Sequence, residues 1–380
     1  MKSLVTVGIT LAVVALGPQM ASKAETASVD TAAAAAVEKG AKWLVSVEGA
    51  DGGWGQDGGE TSYVRTGERL ESNGNDVANT AVAALALIQA GKKYQPQVDR
   101  AVSFILQRVE ASPAEGLSIT DGRGTQIQRK LGPYIDTFLT SMLLAKLDGT
   151  LPTSAQNARV RRALEKCVAK IEKNQKTDGS WNVAGGWAPV LGTSMASRSL
   201  FEAQQKGVAV QAGTLLSAEN YTRDALSVAA PASPVATSSA SVGEVLSADS
   251  VRIRSSAFMA DSAGVPLYQN AQALEQLTRT DADRKKNAKE ISEIQSQLSN
   301  PRFIQGFGSV GGEEFFSYLN ISDSLRRVGG DEWKKWSVDM TQKIISMQNA
   351  DGTWAGSHCI TGRVAVTSAA ILNLMPNAAN

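Results

Sequence analysis

The sequence is short of the residues that build metal and disulfide frameworks: 380 residues hold two cysteines and one histidine. A disulfide-stapled fold is excluded, as are most all-protein zinc sites, which gather three or four thiolate or imidazole ligands. An excess of either charge is missing too. Lys+Arg number 38 and Asp+Glu 37, a formal net charge of +1, so there is no electrostatic case for nucleic acid. Aromatic residues make up 6%, and beyond residue 17 no apolar run approaches the roughly 20 residues that cross a bilayer. What remains is an ordinary globular composition, 43% apolar and 20% charged, with ample chain to bury a large core.

Lys2, the apolar run from Leu4 to Gly17, and the small residues Ser22 and Ala24 form the three parts of an export signal. Residues 1–24 are therefore expected to be cleaved, leaving a periplasmic or secreted chain with no membrane span. Loss of Lys2 and Lys23 takes the net charge from +1 to −1. In that compartment Cys167 and Cys359 could form one bridge. Both stand outside any loop-rich cysteine framework, so each is better explained as a small buried apolar residue.

Three segments share a turn: Glu48-x-x-Asp51-Gly52-Gly53-Trp54, Gln175-x-x-Asp178-Gly179-Ser180-Trp181 and Gln348-x-x-Asp351-Gly352-Thr353-Trp354. Each follows an apolar-periodic helix. Gly supplies the left-handed conformation with which a chain leaves a helix, Asp bonds nearby backbone, and Trp folds back as a large apolar plug. A second pattern, found without the first, is a Thr, a small residue, and Leu seven places after the Thr. It starts at Thr80, Thr140, Thr193 and Thr367, at intervals of 60, 53 and 174 residues. The last interval is three steps of 58, so two degenerate units lie inside it and the chain holds six helical hairpins.

The hidden units are predicted at 210–228 with 247–262, and at 266–299 with Glu313–Val328. Residues 225–250, rich in Ala, Ser, Val and Pro and nearly free of charge, form a low-complexity insertion expected to be a mobile loop or lid.

The run Lys39-Gly40-x-x-Trp43-Leu44-x-x-x-Glu48-x-x-x-Gly52-x-Trp54 resembles the QW repeat of squalene-hopene cyclases and protein prenyltransferase β subunits, with Glu48 where Gln is usual. Gln175 and Gln348 match without that change. The resemblance covers most of residues 31–206 and 333–375 and, weakly, the middle. It implies an all-α fold over residues 25–380, an (α/α)6 toroid of six inner and six outer helices around a funnel. Periodicity alone reaches a curved helical array; ring closure comes from the resemblance.

The family's chemistry does not carry over with the fold. Class II terpene cyclases protonate an alkene with the middle aspartate of Asp-x-Asp-Asp. That motif is absent: Asp281-Ala282-Asp283 is followed by Arg284 in a highly charged stretch that fits a solvated outer face. No Asp-Asp pair holds magnesium diphosphate, and no Cys-Gly-Glu-Gln run forms a thioester. Prenyltransferases hold zinc with Asp, Cys and a distant His. Here His358 adjoins Cys359, poor geometry for one ion, so neither metal nor cofactor is expected.

Polar residues near inner-helix starts should face one mouth of the funnel: Asn79, Thr80, Asp136, Thr137, Ser194, Arg198, Glu313, Glu314, Tyr318, His358, Cys359 and Arg363. Asn79, Asp136 and Ser357 also fit helix capping, and Glu313 and Glu314 suit a first helical turn. The loop from Gly356 to Arg363, Arg198 and the Glu313-Glu314 pair are expected to form a polar rim over an apolar cavity. The function expected is binding of an apolar small molecule or a protein partner without the family's catalytic motifs. The alternative is an enzyme acting on an isoprenoid or related lipid.

Overall fold

The computed structural model of the protein describes residues 18–56, 64–65, 68–69, 75–120, 125–181, 189–229, 265–304 and 310–374. In chain order its helices are α1 (Pro18–Ser46), α2 (Val77–Ala90), α3 (Gln95–Ala111), α4 (Gln126–Leu131), α5 (Ile135–Leu147), α6 (Ser154–Lys173), α7 (Pro189–Gln205) and α8 (Ala212–Ala229). There follow α9 (Val265–Leu277), α10 (Asp281–Lys286), α11 (Ala288–Leu298), α12 (Pro301–Ile304), α13 (Gly312–Val328), α14 (Gly330–Ser346) and α15 (Arg363–Leu374). A small antiparallel ribbon, β1 (Val64–Arg65) with β2 (Glu68–Arg69), pairs Val64 with Arg69.

Helices α2, α5, α7, α9, α13 and α15 form a ring in which each packs against the next and α15 returns to α2. Around them lie α1, α3, α6, α8, α11 and α14, and α14 packs on α1. Six hairpins therefore close into an all-α toroid. Composition explains the two layers. Outer α3 buries one stripe, Val98, Ala101, Val102, Ile105 and Val109, at helical spacing. Inner α5 is buried at every residue but Lys146. In α2, Ala78, Ala81, Ala83, Ala84 and Ala86 are all fully buried and let neighbours approach on several sides at once.

The two sequence patterns meet in one hydrogen bond. The backbone N–H of Trp54 donates to Thr80 Oγ1 (2.9 Å), that of Trp181 to Thr193 Oγ1 (3.2 Å) and that of Trp354 to Thr367 Oγ1 (3.0 Å). Each indole Nε1–H reaches back to a carbonyl of the outer helix it follows, Leu44, Ile171 or Ile344, at 2.7 Å. Each turn also clamps the next outer helix. Gln175 Nε2 donates to Thr214 O of α8 (2.9 Å), and Gln348 Nε2 to Ala36 O of α1 (2.9 Å). Glu48 cannot donate; it instead pairs with Arg100 of α3, Nε to Oε1 at 2.9 Å, which accounts for the change from Gln. At Gly179 (φ +86°) an added Cβ would lie 2.1 Å from Ser217 O of α8. The second unit has no such Trp. There Lys166 and Lys170 of α6 cap the end of α3 and its loop, donating to Ser112 O (2.6 Å), Pro113 O (2.7 Å) and Gly116 O (2.8 Å).

The middle units differ from the expected assignment. Val265–Leu277, expected in an outer helix, is the inner helix α9, packed on α7 and α13 and on the outer helix α8; the next outer helix is α11. Its polar residues Gln269, Asn270, Gln272, Glu275 and Gln276 are buried among neighbouring polar groups, so a charged and amide-rich sequence did not mean a solvated face. Residues 247–262, expected as an inner helix, lie outside the described residues. So do 230–250 of the expected loop, while α8 carries the helix on to Ala229. Of the expected signal, residues 1–17 lie outside the described residues, and from Pro18 the chain is in α1. Among the described residues no helix is long and apolar enough to cross a membrane. Cys167 and Cys359 are both free and buried.

Candidate functional site

At the start of α2 the helix is capped by Asp76, not by Asn79. Asp76 Oδ1 accepts the Asn79 N–H (2.9 Å) and Oδ2 accepts Asn79 Nδ2 (2.7 Å). Loss of water pushes the Asp76 carboxyl up to about 6. One helix further round, Asp136 is fully buried in the first turn of α5, with Oδ1 accepting the Thr137 N–H (3.0 Å) and Oδ2 accepting nothing. Burial pushes this carboxyl up to about 8, and the charge on Asp76 adds to the effect. Thr137 Oγ1 donates to Leu117 O (2.8 Å), and Asp136 is felt by Cys167 and Lys170 of α6, so both sit toward the outer layer.

The starts of α13 and α15 make the tightest cluster. Glu313 and Glu314 are fully buried in the first turn of α13. Glu313 Oε2 accepts the Ile360 N–H (3.1 Å), and Glu314 Oε2 accepts the Gly311 N–H (2.9 Å). Glu314 Oε1 accepts the Tyr268 hydroxyl of α9 (3.0 Å) and lies 3.8 Å from His358 Nε2. Burial, with Glu313 adjacent, pushes the Glu314 carboxyl above its ordinary range; His358 works the other way. The loop before α15 lies on bare backbone: Gly312 N–H donates to Ile360 O (2.9 Å), and a Cβ at Gly312 would stand 2.6 Å from Ile360 Cβ. Ser357 is no helix cap; its Oγ donates to Val310 O (3.0 Å). Burial pushes the Cys359 thiol up to about 12, and the neighbouring Glu313 carboxylate adds to it.

Carboxylate, imidazole and thiol atoms of Glu313, His358 and Cys359 all lie within 4.8 Å of one another. Adjacent His and Cys were expected to be poor geometry for one ion; here their ligand atoms come together. Cys359 has φ +55°, the left-handed region, and so does not follow the ordinary extended alternation of side chains.

The rest of the expected rim is dispersed. Arg198, about 14 Å down α7 from its start at the usual helical rise, binds Glu202 (2.8 Å), Asn320 (2.9 Å) and Asp323 (2.5 Å). Ser194 Oγ accepts Asn320 Nδ2 (3.0 Å). The bonds to Asn320 and Asp323 join α7 to α13, two places apart in the ring, and so cross part of the interior that was expected to be hollow. Tyr318 turns outward, donating to Ile304 O of α12 (2.8 Å) and accepting from Lys343 of α14 (3.2 Å). Arg363 lies 5.2 Å from the Trp43 ring of α1 and 3.5 Å from Asp351, bracing the last turn. Thr80 is the Trp54 anchor described above. A groove of about 430 Å³, lined by Leu298, Ile304, Trp336, Met340 and Lys343, lies in the outer layer between α11, α12 and α14.

Residues 16–119 match the squalene-hopene cyclase C-terminal domain family. Over that segment the chain is similar to squalene-hopene cyclases. A 70-residue stretch is 37% identical to the squalene–hopene cyclase of Bradyrhizobium diazoefficiens, covering 18% of this chain and 10% of that relative. No solved structure matches the chain significantly.

Two runs bear on the absent Asp-x-Asp-Asp motif. Asp281-Ala282-Asp283-Arg284 lies in α10, none of whose residues is buried, as expected for a solvated face. Asp76-Val77-Ala78-Asn79 opens an inner helix within the matched segment, and sequence reasoning passed over it because Ala78 and Asn79 obscure the pattern. Tyr268 was not singled out because its helix was assigned to the outer layer. Glu275, Arg279, Asp323 and Arg327 carried no local motif; only the fold brings them to Arg198.

Asp76 and Asp136 hold their protons to higher pH when folded than when unfolded. The folded state therefore binds more protons between the ordinary carboxylate range and about pH 8, and their contribution to stability falls as pH rises through that window. Asp136→Asn keeps an acceptor for the Thr137 N–H and cannot ionise. It is expected to flatten the decline by up to about 1.4 kcal/mol per pH step, read from urea unfolding at a series of pH values. An identical slope in the variant would show that Asp136 is ionised in the fold.

Proposed function

We propose that this chain is an exported toroid that binds an apolar small molecule or a protein partner at the mouth of its ring and does not cyclise a polyprene. Ala78 carries the reading. Read in the place of Asp-x-Asp-Asp, the run Asp76-Val77-Ala78-Asn79 has a buried methyl group at the middle acidic position, and its Asp76 is engaged as a helix cap. An acid strong enough for an alkene needs activation by neighbouring groups in a dry site. Here the flanking Asn79 bonds to Asp76 instead. The bridge between α7 and α13 favours binding at the mouth over passage through the ring.

The test is mass spectrometry of lipids and proteins that co-purify with the mature chain, followed by incubation with squalene and with prenyl diphosphates. A stoichiometric companion and no cyclised product are expected. Turnover that disappears in Asp136→Asn would overturn this reading in favour of an enzyme on an isoprenoid or related lipid. One observation favours that second reading: Asp136 stays neutral to about pH 8, with Oδ2 unpartnered.

A further inference from the structure

The geometry points to a site for a divalent, thiophilic cation of the zinc class, held by Glu313, His358 and Cys359. One oxygen, one nitrogen and one sulfur converge to within 4.8 Å, from the first turn of α13 and the loop before α15. That donor set suits zinc: thiolate and imidazole select against magnesium and calcium, and a carboxylate completes a three-residue set. The arrangement differs from the aspartate, cysteine and distant histidine of the prenyltransferases, since imidazole and thiol here are sequence neighbours.

An independent observation points to a missing ligand. Glu313 is fully buried, its Oε2 takes the Ile360 N–H, and its Oε1 accepts no hydrogen bond. A buried carboxylate oxygen without a partner costs stability, and a cation satisfies it. Behind the three donors Glu314 stands close enough to His358 to form a second layer once an ion fixes the imidazole. Tyr268 hydroxyl donates to Glu314 Oε1, which lies 3.8 Å from His358 Nε2, the kind of carboxylate–imidazole pairing that orients metal-binding histidines. On binding, the Cys359 thiol releases its proton to solvent as the sulfur–metal bond forms. The site stands apart from the binding function proposed above, and either can fail without the other.

The mature chain, stripped with chelator and titrated with cobalt(II), should take up one ion per chain with a sulfur-to-cobalt charge-transfer band that zinc abolishes. Cys359→Ala should lose the band, and Cys167→Ala, altered in the buried face of α6, should keep it. Glu313→Gln and His358→Asn should each weaken zinc binding at least tenfold in competition with a chromophoric chelator, and Glu314→Gln about tenfold through the second layer. If Cys359→Ala loses its helical circular dichroism, the Glu313 and His358 variants decide the matter. Absence of the band from the parent chain, its survival in Cys359→Ala, or zinc affinity unchanged in both Glu313→Gln and His358→Asn overturns the assignment.

Discussion

Trp354→Ala is expected to lower stability by about 3–5 kcal/mol, the range for deleting a buried tryptophan, and to open the ring at its seam. The indole is fully buried, and its Nε1–H holds Ile344 O at 2.7 Å. Its Cζ3 would lie 2.9 Å from any Cβ on Gly40, so the ring packs directly on the backbone of α1. The same turn donates from Gln348 to Ala36 O. Removing the indole therefore takes away both a plug and the seat of the first outer helix. Urea unfolding should show the loss, and hydrogen exchange should quicken in α1 more than in α5 on the far side of α2. Thr367→Val, which removes the acceptor for the Trp354 N–H and the donor to Trp354 O (3.3 Å) but leaves the indole in place, should cost less, about 1–3 kcal/mol. A Trp354→Ala chain within about 1 kcal/mol of the parent would show that the seam holds without it.

Glu275→Ala should be comparably damaging, at about 3–5 kcal/mol, because it breaks a buried ionic cluster rather than replacing it. Glu275 is fully buried between Arg279, Nη2 to Oε2 at 2.6 Å, and Arg327, Nη1 to Oε1 at 3.9 Å. Burial alone would raise its carboxyl; Arg279, Arg327 and Arg198 more than offset this and hold it below its ordinary range. Asp323 is held low in the same way, against its burial, by Arg198 and its neighbours. For depressed carboxyls the stability is fully present above the ordinary carboxylate range and is lost as pH falls through the folded value. Glu275→Ala should therefore flatten the acid limb of the stability profile, the opposite limb from Asp136→Asn. If Glu275→Ala melts with the parent at neutral pH, the cluster contributes nothing net.

The parts legible in sequence were those specified by local chemistry. Asp51, Asp178 and Asp351 each accept the N–H two residues on, at 3.0, 2.9 and 3.1 Å, and the glycine following each has positive φ. A turn that satisfies itself can be recognised from a few residues. The inner position of α9 could not be recognised so, because the contacts that bury its polar face come from far along the chain: Gln276 Nε2 lies 3.4 Å from Ser197 Oγ of α7, and Arg327 of α13 lies 3.9 Å from Glu275. The candidate site divides along the same line. Glu313, Glu314, His358 and Cys359 were grouped by their positions near helix starts, and the structure brings their side chains together. Arg198 was grouped with them by helix membership alone, and the length of α7 carries it away. The His358–Cys359 juxtaposition depended on one backbone angle that no side-chain pattern announces.

A stack of helical hairpins with free ends has terminal modules that meet one neighbour each, and such arrays fray from those ends. Here α14 lies against α1, so every module meets two neighbours and none is terminal. The first module to leave must break two interfaces at once, which makes unfolding all-or-none. The same circularity fixes the module number: a hairpin added or deleted changes the curvature that lets the circle meet, so such chains are expected to vary by loop insertion and not by repeat duplication.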